Sequence, residues 1–595
     1  MSYLNHLRVL DPFDESLDDR RIAKFVNTNT PIPFTSYATL ADWEARREKL
    51  RVRLLVSAGL YPYPERCPLD AKIFGRLTFD GYTVDRVIFT SRPGLHVTGN
   101  LYLPTCAGKV PMVLCPHGHN MLGKNRDDDI ISVPQRCASL ARLGIAAFSY
   151  DMMGYGDSVE LAHRYSGMKN DLWLEQLFGV QLWNSIRALD FVETLPEVDA
   201  SRIGCTGESG GGTQTYALTA VDERVKASMP VNMVSNVFGG GCYCENAPLM
   251  RIGTHNGEFT ALAAPRALCL VGCTQDWTVR LREEIYPGIR EIYELYGAWD
   301  KVFWFYDDAP HNYNARAVAA ACRFFGRELL GIDVPLDYKV ATRDIYGNAD
   351  ALRVLTPEDD RGVRKIDEHA FFEAGVRERS RRPVTDEQYR AAMDIVTGVE
   401  PCTPEVSHES TETYDGVMVR TGLLNVAYNG AQFPFAVVNP AGKRCVLLLH
   451  PDGKRAALAS PEAASYLAQG YAVAAGDLFL TGEYHTPFAH AGRDFTKTTH
   501  KGPWGERTHF TVYNYTDAAY RVQDAAALCA YLQGQYDLTV IGLSDCAPIA
   551  AALKTYTDAE VRYDLTDFTT TEDYIERCFI PGLLAYNPQW VKDIG

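Results

Sequence analysis

The 595-residue sequence predicts an α/β fold class with a mostly parallel sheet covered by helices on both faces, and three observations predict it. Short apolar runs that do not alternate ("PMVLC", "IAAFSY", "RIGCTG", "RALCLVG", "KVFWFY") recur between helix-like segments such as "LWNSIRALDFVETL". Runs of that kind are strands buried on both faces, and the helices between them supply the cover and the crossovers. Ahead of them, "GRLTFDGYTVDRVIFTSRPGLHVTGNLYLP", Gly75 to Pro104, alternates apolar and polar residues around Gly and Pro turns, the pattern of antiparallel strands. Finally, the same order of segments occurs twice along the chain.

In chain order, Leu40 to Leu60 mixes apolar and charged residues at helical spacing and stops at Gly59 and Pro62, which predicts a helix. The antiparallel strands follow, and the parallel sheet starts near Val110. From about Gly331 to Tyr414 the composition turns to charged residues and helix formers, a helical connector. After it "GKRCVLLLHPDG" echoes "GKVPMVLCPHGH", "GYAVAAGDLFLTGE" echoes "GIAAFSYDMMGYGDS", and "DLTVIGLSDCAP" echoes "SRIGCTGESGGG". The expected organisation is a 1–331 catalytic domain with an N-terminal helical extension, a 332–413 connector, and a 414–595 truncated, degenerate copy. An antiparallel start leading into a parallel sheet fits the α/β-hydrolase architecture.

Composition excludes some functions. Lys+Arg 59 against Asp+Glu 75 gives a net charge of −16, which repels phosphate backbones and anionic membrane surfaces. No nucleic-acid or membrane partner is expected. The start, "MSYLNHLRVLDPFDESLDDRR", carries acidic residues where a secretory signal needs an apolar core, so a cytoplasmic location is the expectation. Fifteen cysteines scattered through strand-like runs read as buried free thiols. No cofactor and no metal are expected: Cys242 and Cys244 lack the spacing of a zinc site, and His117 and His119 have no third ligand in view.

The chemistry centres on Gly207-Glu208-Ser209-Gly210-Gly211. A serine hydroxyl needs a base to become a nucleophile and donors to hold the oxyanion that forms. Small flanking residues allow the strained turn that exposes it, and a buried strand before and a helix after supply the context. The acid and base should follow in the order Asp, His at the ends of later strands. Asp276, in the turn after "APRALCLVG", and His311, after "KVFWFYDDAP", meet that order, with Asp307 and Asp308 as rival acids. The oxyanion donors are expected at the backbone N–H groups of Gly210 and His119, and the substrate contacts at Trp277 and Glu208. Trp173 and Trp183 read more readily as core.

Together, "DGYTVDRVIFTSRPGLHVTGNLYLP", "CPHGH", "DMMGYGDS", "GESGGGTQT", "CENAP", "APRALCLVGCTQDWTV" and "DAPHNYN" resemble bacterial acetyl xylan esterase-like α/β-hydrolases, near the cephalosporin-C deacetylase group. The resemblance covers roughly Ala38 to Leu330. It implies a serine esterase that removes acetyl or other acyl groups from plant polysaccharide fragments, with Ser209 as nucleophile, Asp276 as acid and His311 as base. Dienelactone hydrolases proper use a cysteine nucleophile, and glucuronoyl esterases carry an Arg after the serine, where this chain has Gly210. The substrate expected is a small or oligosaccharide ester.

Ser544 stands in Gly542-Leu543-Ser544-Asp545-Cys546, with a carboxylate beside the would-be oxyanion and no histidine after it. This copy is expected to be catalytically dead and to serve as a wall over the first site or as a homo-oligomer surface. Two other readings stay open at this point: a prolyl oligopeptidase-type serine peptidase, and a non-catalytic scaffold or binding protein.

Overall fold

The computed structural model describes residues 2–10, 19–23, 26–343, 349–356, 359–484, 499–502 and 505–592. Its larger sheet has nine strands: β1 (Lys72–Phe79), β2 (Tyr82–Arg92), β3 (Leu95–Pro104), β4 (Val110–Leu114), β5 (Ala146–Tyr150), β6 (Val198–Glu208), β7 (Val225–Val231), β8 (Ala267–Gln275) and β9 (Val302–Pro310). They lie in the order β1-β2-β3-β5-β4-β6-β7-β8-β9. β1 to β3 form an antiparallel meander joined to β5, and every pairing from β5 to β9 is parallel. The non-alternating runs behave as their composition requires: every residue of β4 and β5 is buried, with helices on both faces. Because the strands run parallel, their C-terminal ends and the loops after them gather along one edge, where α/β sheets carry their ligand sites.

The second sheet contains β10 (Glu405–Tyr414), β11 (Val417–Val426), β12 (Ala431–Val438), β13 (Arg444–Leu449), β14 (Ala472–Gly476), β17 (Asp537–Gly542) and β18 (Glu560–Tyr563). A separate hairpin, β15 (Thr499–Gly502) and β16 (Gly505–Thr508), precedes β17. The order of the second sheet, β10-β11-β12-β14-β13-β17-β18, repeats the first seven positions of the larger one. Even the irregularity in the first hairpin recurs, between Phe74 and Leu77 in β1 and between Ser407 and Ser410 in β10. Among the described residues, counterparts of β8 and β9 are absent from this sheet.

The helix expected at Leu40–Leu60 spans Leu40–Ser57, opened by a Thr39/Asp42 capping box and followed by Gly59 at φ +66°. The connector supplies the helices Glu368–Arg379 and Asp386–Thr397, but β10 begins inside its expected range, so residues 405–413 are sheet. Alternation in "EVSHESTETY" is obscured by its exposure: an edge strand with few buried residues leaves little apolar signal. The N-terminal extension also differs from expectation. Tyr3 and Leu7 are buried in the apolar cluster of the second sheet, and Tyr3 Oη donates to Leu458 O at 3.1 Å. One further apolar cluster joins the halves, with Leu174 and Val180 packed among Val396, Leu583 and Leu584. Among the described residues no helix is long and apolar enough to cross a membrane.

Candidate active site

Ser209 sits between the end of β6 and the helix Gly210–Val221, at φ +55° and ψ −123°. A non-glycine residue reaches that region only under strain, and strain of this kind projects the side chain out of the turn. The surrounding glycines are required by contact. A Cβ on Gly207 would collide with Pro116 O, and one on Gly211 would lie 2.5 Å from the same oxygen. The loop after β4 therefore packs directly on the elbow, and a Cβ on Gly118 would stand 3.1 Å from Ser209 Cβ.

Asp276 follows β8 and His311 follows β9, and the two side chains meet: His311 Nδ1 lies 2.9 Å from Asp276 Oδ2. The Asp276 carboxylate is fully buried and also accepts from Trp277 N at 2.5 Å and Thr278 Oγ1 at 3.3 Å. The rival acids are engaged elsewhere, Asp307 with Asn314 and Arg316, Asp308 with Thr274. The segment that follows His311 is anchored to the neighbouring strands. Asn232 Nδ2, beyond β7, donates to Asn312 O at 2.7 Å, and Tyr313 Oη is 2.9 Å from Thr206 Oγ1 on β6. No hydrogen bond joins Ser209 Oγ to His311 here; such bonds are often long in ligand-free sites and tighten in the reacting complex. Trp277 borders the imidazole, with ring centroids 4.7 Å apart. Trp173 and Trp183 are core residues, their indole N–H groups donating to Thr571 Oγ1 and Ser91 O.

The loop Pro116–Asn120 is held from beneath. Gly118 N donates to Glu208 Oε1 at 2.8 Å, while Gly118 O lies 2.6 Å from His117 Nδ1 and accepts from Asn120 Nδ2 at 3.2 Å. A trans peptide points its N–H opposite its C=O. Fixing Gly118 O therefore fixes the direction of the His119 N–H. His117 Nε2 accepts from Met152 N at 3.0 Å, so its proton resides on Nδ1, and burial keeps this imidazole below the usual histidine range. The Gly210 N–H is the first of the unsatisfied donors at its helix N-terminus.

Glu208 requires a correction. Expected to contact substrate, it is fully buried, one carboxylate oxygen on Gly118 N and the other 2.7 Å from Arg136 Nη1. Burial pushes its carboxyl up, and Arg136 with the Gly118 N–H more than reverses this, leaving it below the ordinary glutamate range. Its work is to support the loop over the serine. Arg136, which the sequence reading missed, also reaches Pro116 O at 3.4 Å and stacks on the Tyr313 ring at 4.4 Å. An arginine set among the buried residues of the helix Val133–Leu143 is the only signal that could have found it.

A second grouping adjoins the serine. Ligand atoms of His119, His163, Cys242 and Cys244 all lie within 4.8 Å of one another. The sequence reading discounted the histidines for want of a third ligand and the cysteines for their spacing. The fold brings one of those histidines, His119, to the cysteines, and adds His163.

Residues 77–233 match the family model described as acetyl xylan esterase (AXE1). The Bacillus subtilis (strain 168) protein "Putative hydrolase YtaP" is 27% identical over 125 residues, 20% of this chain, and the chain spans only 42% of that relative's length. Among solved structures, the methylesterase BT1017 is 29% identical and aligns with 56% of this chain and 70% of its own, at a TM-score of 0.45. An acetyl xylan esterase from Paenibacillus sp. R4 is 17% identical, with 50% of this chain and 96% of its own aligned at a TM-score of 0.33. The resemblance expected from the sequence holds: the stretch carrying the elbow and its supporting loop is acetyl xylan esterase-like.

Proposed function

We propose that this chain is a serine carboxylic-ester hydrolase that deacetylates carbohydrate through an acyl-enzyme on Ser209. One observation carries the reading: a serine in a left-handed turn at the end of β6 shares its sheet edge with a buried carboxylate and an imidazole 2.9 Å apart, at the ends of β8 and β9. In the proposed reaction, Ser209 Oγ attacks the ester carbonyl while His311 Nε2 takes its proton, and Asp276 fixes the imidazole and offsets its charge. The His119 and Gly210 N–H groups hold the oxyanion. Collapse expels the sugar alkoxide, protonated by His311. Water activated by the same imidazole then cleaves the acyl-serine to acetate. Trp277, beside His311, offers an apolar ring face suited to a sugar.

We further propose that the second sheet is a non-catalytic copy of the first. Its repeated strand order supports this, as does the absence, among the described residues, of counterparts to the two strands that precede Asp276 and His311. Ser544 keeps a positive φ of 50°, but its Oγ lies 3.5 Å from Asp545 Oδ1, on a carboxylate bound by Arg577.

The test is a fluorophosphonate probe followed by peptide mapping, with turnover of p-nitrophenyl acetate and of acetylated and methyl-esterified sugars. Label on Ser209 with preferred cleavage of sugar acetates is the expected result. Ester turnover that persists in Ser209→Ala overturns it.

A further inference from the structure

We propose that His119, His163, Cys242 and Cys244 bind one Zn²⁺ in a closed tetrahedral site that clamps the loop over Ser209. The four ligand atoms come from the loops after β4, β5 and β7, three neighbours around the β6 elbow, and lie within 4.8 Å of one another. In a tetrahedral site with two thiolates and two imidazoles, ligand atoms sit about 3.3–3.8 Å apart, from bond lengths of about 2.3 Å to sulfur and 2.0 Å to nitrogen. His119 Nε2 is already 3.0 Å from Cys244 Sγ, so small side-chain adjustments complete the geometry.

The surroundings suit a metal more than a set of ordinary polar contacts. His163 Nδ1 is 2.6 Å from Met153 O, which fixes its proton there and leaves the buried Nε2 as the ligand atom. A backbone carbonyl on the second ring nitrogen is the usual outer support of a metal-bound histidine. Glu245 serves the other side: Oε2 accepts from Cys242 N at 3.0 Å and Oε1 lies 4.0 Å from His119 Nδ1. Zn²⁺ with two thiolates and two neutral imidazoles carries no net charge, and binding releases the two thiol protons to solvent. Both cysteines are buried, an environment that accepts a neutral complex at much lower cost than separate ions.

Four protein ligands leave no open position, so the ion does not act on substrate. It acts through His119. The His119 ring packs against the elbow, where a Cβ on Gly210 would lie 3.0 Å from its Cε1. Fixing that ring fixes the residue whose N–H is assigned to the oxyanion, a consequence that rests on the esterase reading; metal binding itself does not.

Full-length protein, stripped with a chelator and dialysed, is titrated with Zn²⁺ against a chromophoric competitor and separately with Co²⁺. The expected result is one equivalent per chain, with thiolate-to-cobalt charge-transfer absorption and intense tetrahedral d–d bands. The Cys242→Ser/Cys244→Ser double variant and His163→Ala are expected to lose the stoichiometric metal while Ser209 still reacts with a fluorophosphonate, which reports that the site folds. For the stripped wild type, kcat should fall with KM little changed and recover on adding Zn²⁺. Absence of stoichiometric binding by the wild-type chain overturns the proposal, as does a Cys242–Cys244 disulfide in the unreduced protein or unchanged metal content in the double variant. If metal binds while Ser209 takes no label and no ester turns over, the metal site stands and the esterase reading falls.

Discussion

The two sheets keep the same buried ion cluster and differ in almost everything around the serine. In the first, Lys124 Nζ bridges Asp151 at 2.5 Å and Asp157 at 2.6 Å; in the second, Lys454 Nζ bridges Asp477 at 2.5 Å and Glu483. Glycines at matching positions, Gly123 and Gly156, Gly453 and Gly482, have positive φ and press against the central aspartate. Each cluster also holds a distant segment. Asp157 accepts from Val354 N at 2.8 Å in the connector, and Glu483 accepts from Val9 and Leu10 N–H near the N-terminus. By contrast, the segment from Leu114 to Gly123, which contains the loop over Ser209, shrinks to Leu449–Gly453, and β8 and β9 have no counterparts among the described residues. A buried charge cluster cannot be lost one member at a time without stranding a charge. Loops at the sheet edge are free of that constraint. The ion cluster therefore recurs in both sheets, while the loops at the sheet edge differ.

The largest expected effect breaks the comparison at the serines. Ser209→Ala should lower kcat/KM at least ~10³-fold, as loss of a nucleophile does, and Ser544→Ala should leave it within about twofold. Steady-state ester hydrolysis with both variants checks this, and equal losses would make the second half a participant. The clusters should respond alike. Lys124→Met leaves two buried carboxylates facing one another, and Lys454→Met leaves buried Asp477 facing half-buried Glu483; each should cost about 3–5 kcal/mol of stability, read by denaturant unfolding. A loss at Lys124 alone would mean that the second cluster is dispensable.

Glu208→Gln comes next. It keeps an acceptor for Gly118 N but leaves the Arg136 guanidinium without its carboxylate, in a site with both side chains essentially buried. The loop over Ser209 should loosen, lowering kcat by about 10–100-fold with a smaller change in KM, in line with loss of a supporting hydrogen-bond network. A change confined to KM would restore Glu208 to the substrate-binding role expected from the sequence.

These residues also mark how far the sequence could be read. Ser209, Asp276 and His311 stand in local contexts, a strand running into a turn, and their order along the chain carries the topology; hence their positions were legible. The repeated strand order was legible for the same reason, because each strand is a short apolar run. Glu208 was not, since its role depends on Arg136 in a helix that only the fold brings beneath the elbow. His163 and the Cys242/Cys244 pair were invisible as a group because their meeting depends on three loops converging. The packing of Tyr3 and Leu7 on the second sheet was equally hidden, a contact between segments more than 400 residues apart with no local pattern.

The smallest expected effect concerns the seam between the halves. Asp171, in the helix Met168–Trp173, lies where Gly582 N donates to its backbone O at 2.9 Å. Burial pushes its carboxyl from the ordinary 3.8 up to about 7, opposed by a hydrogen bond from Thr511 of the second half. Below pH 3.8 the folded and unfolded chains are both protonated at this position, and there is no penalty. From there to about 7 the unfolded chain ionises while the folded one holds its proton, so stability falls with rising pH; above 7 both are ionised and the deficit levels off. Asp171→Asn removes the titration. Relative to wild type, the variant should gain stability between pH 5 and pH 8, by about 1–2 kcal/mol for a partly exposed residue, since each pH unit separating the folded and unfolded pKa is worth about 1.4 kcal/mol before solvent screening. Thermal unfolding of both proteins across that range measures it. A difference that stays constant with pH would mean that the seam admits water at Asp171, and that the second half covers the first less tightly than its apolar contacts around Leu174 imply.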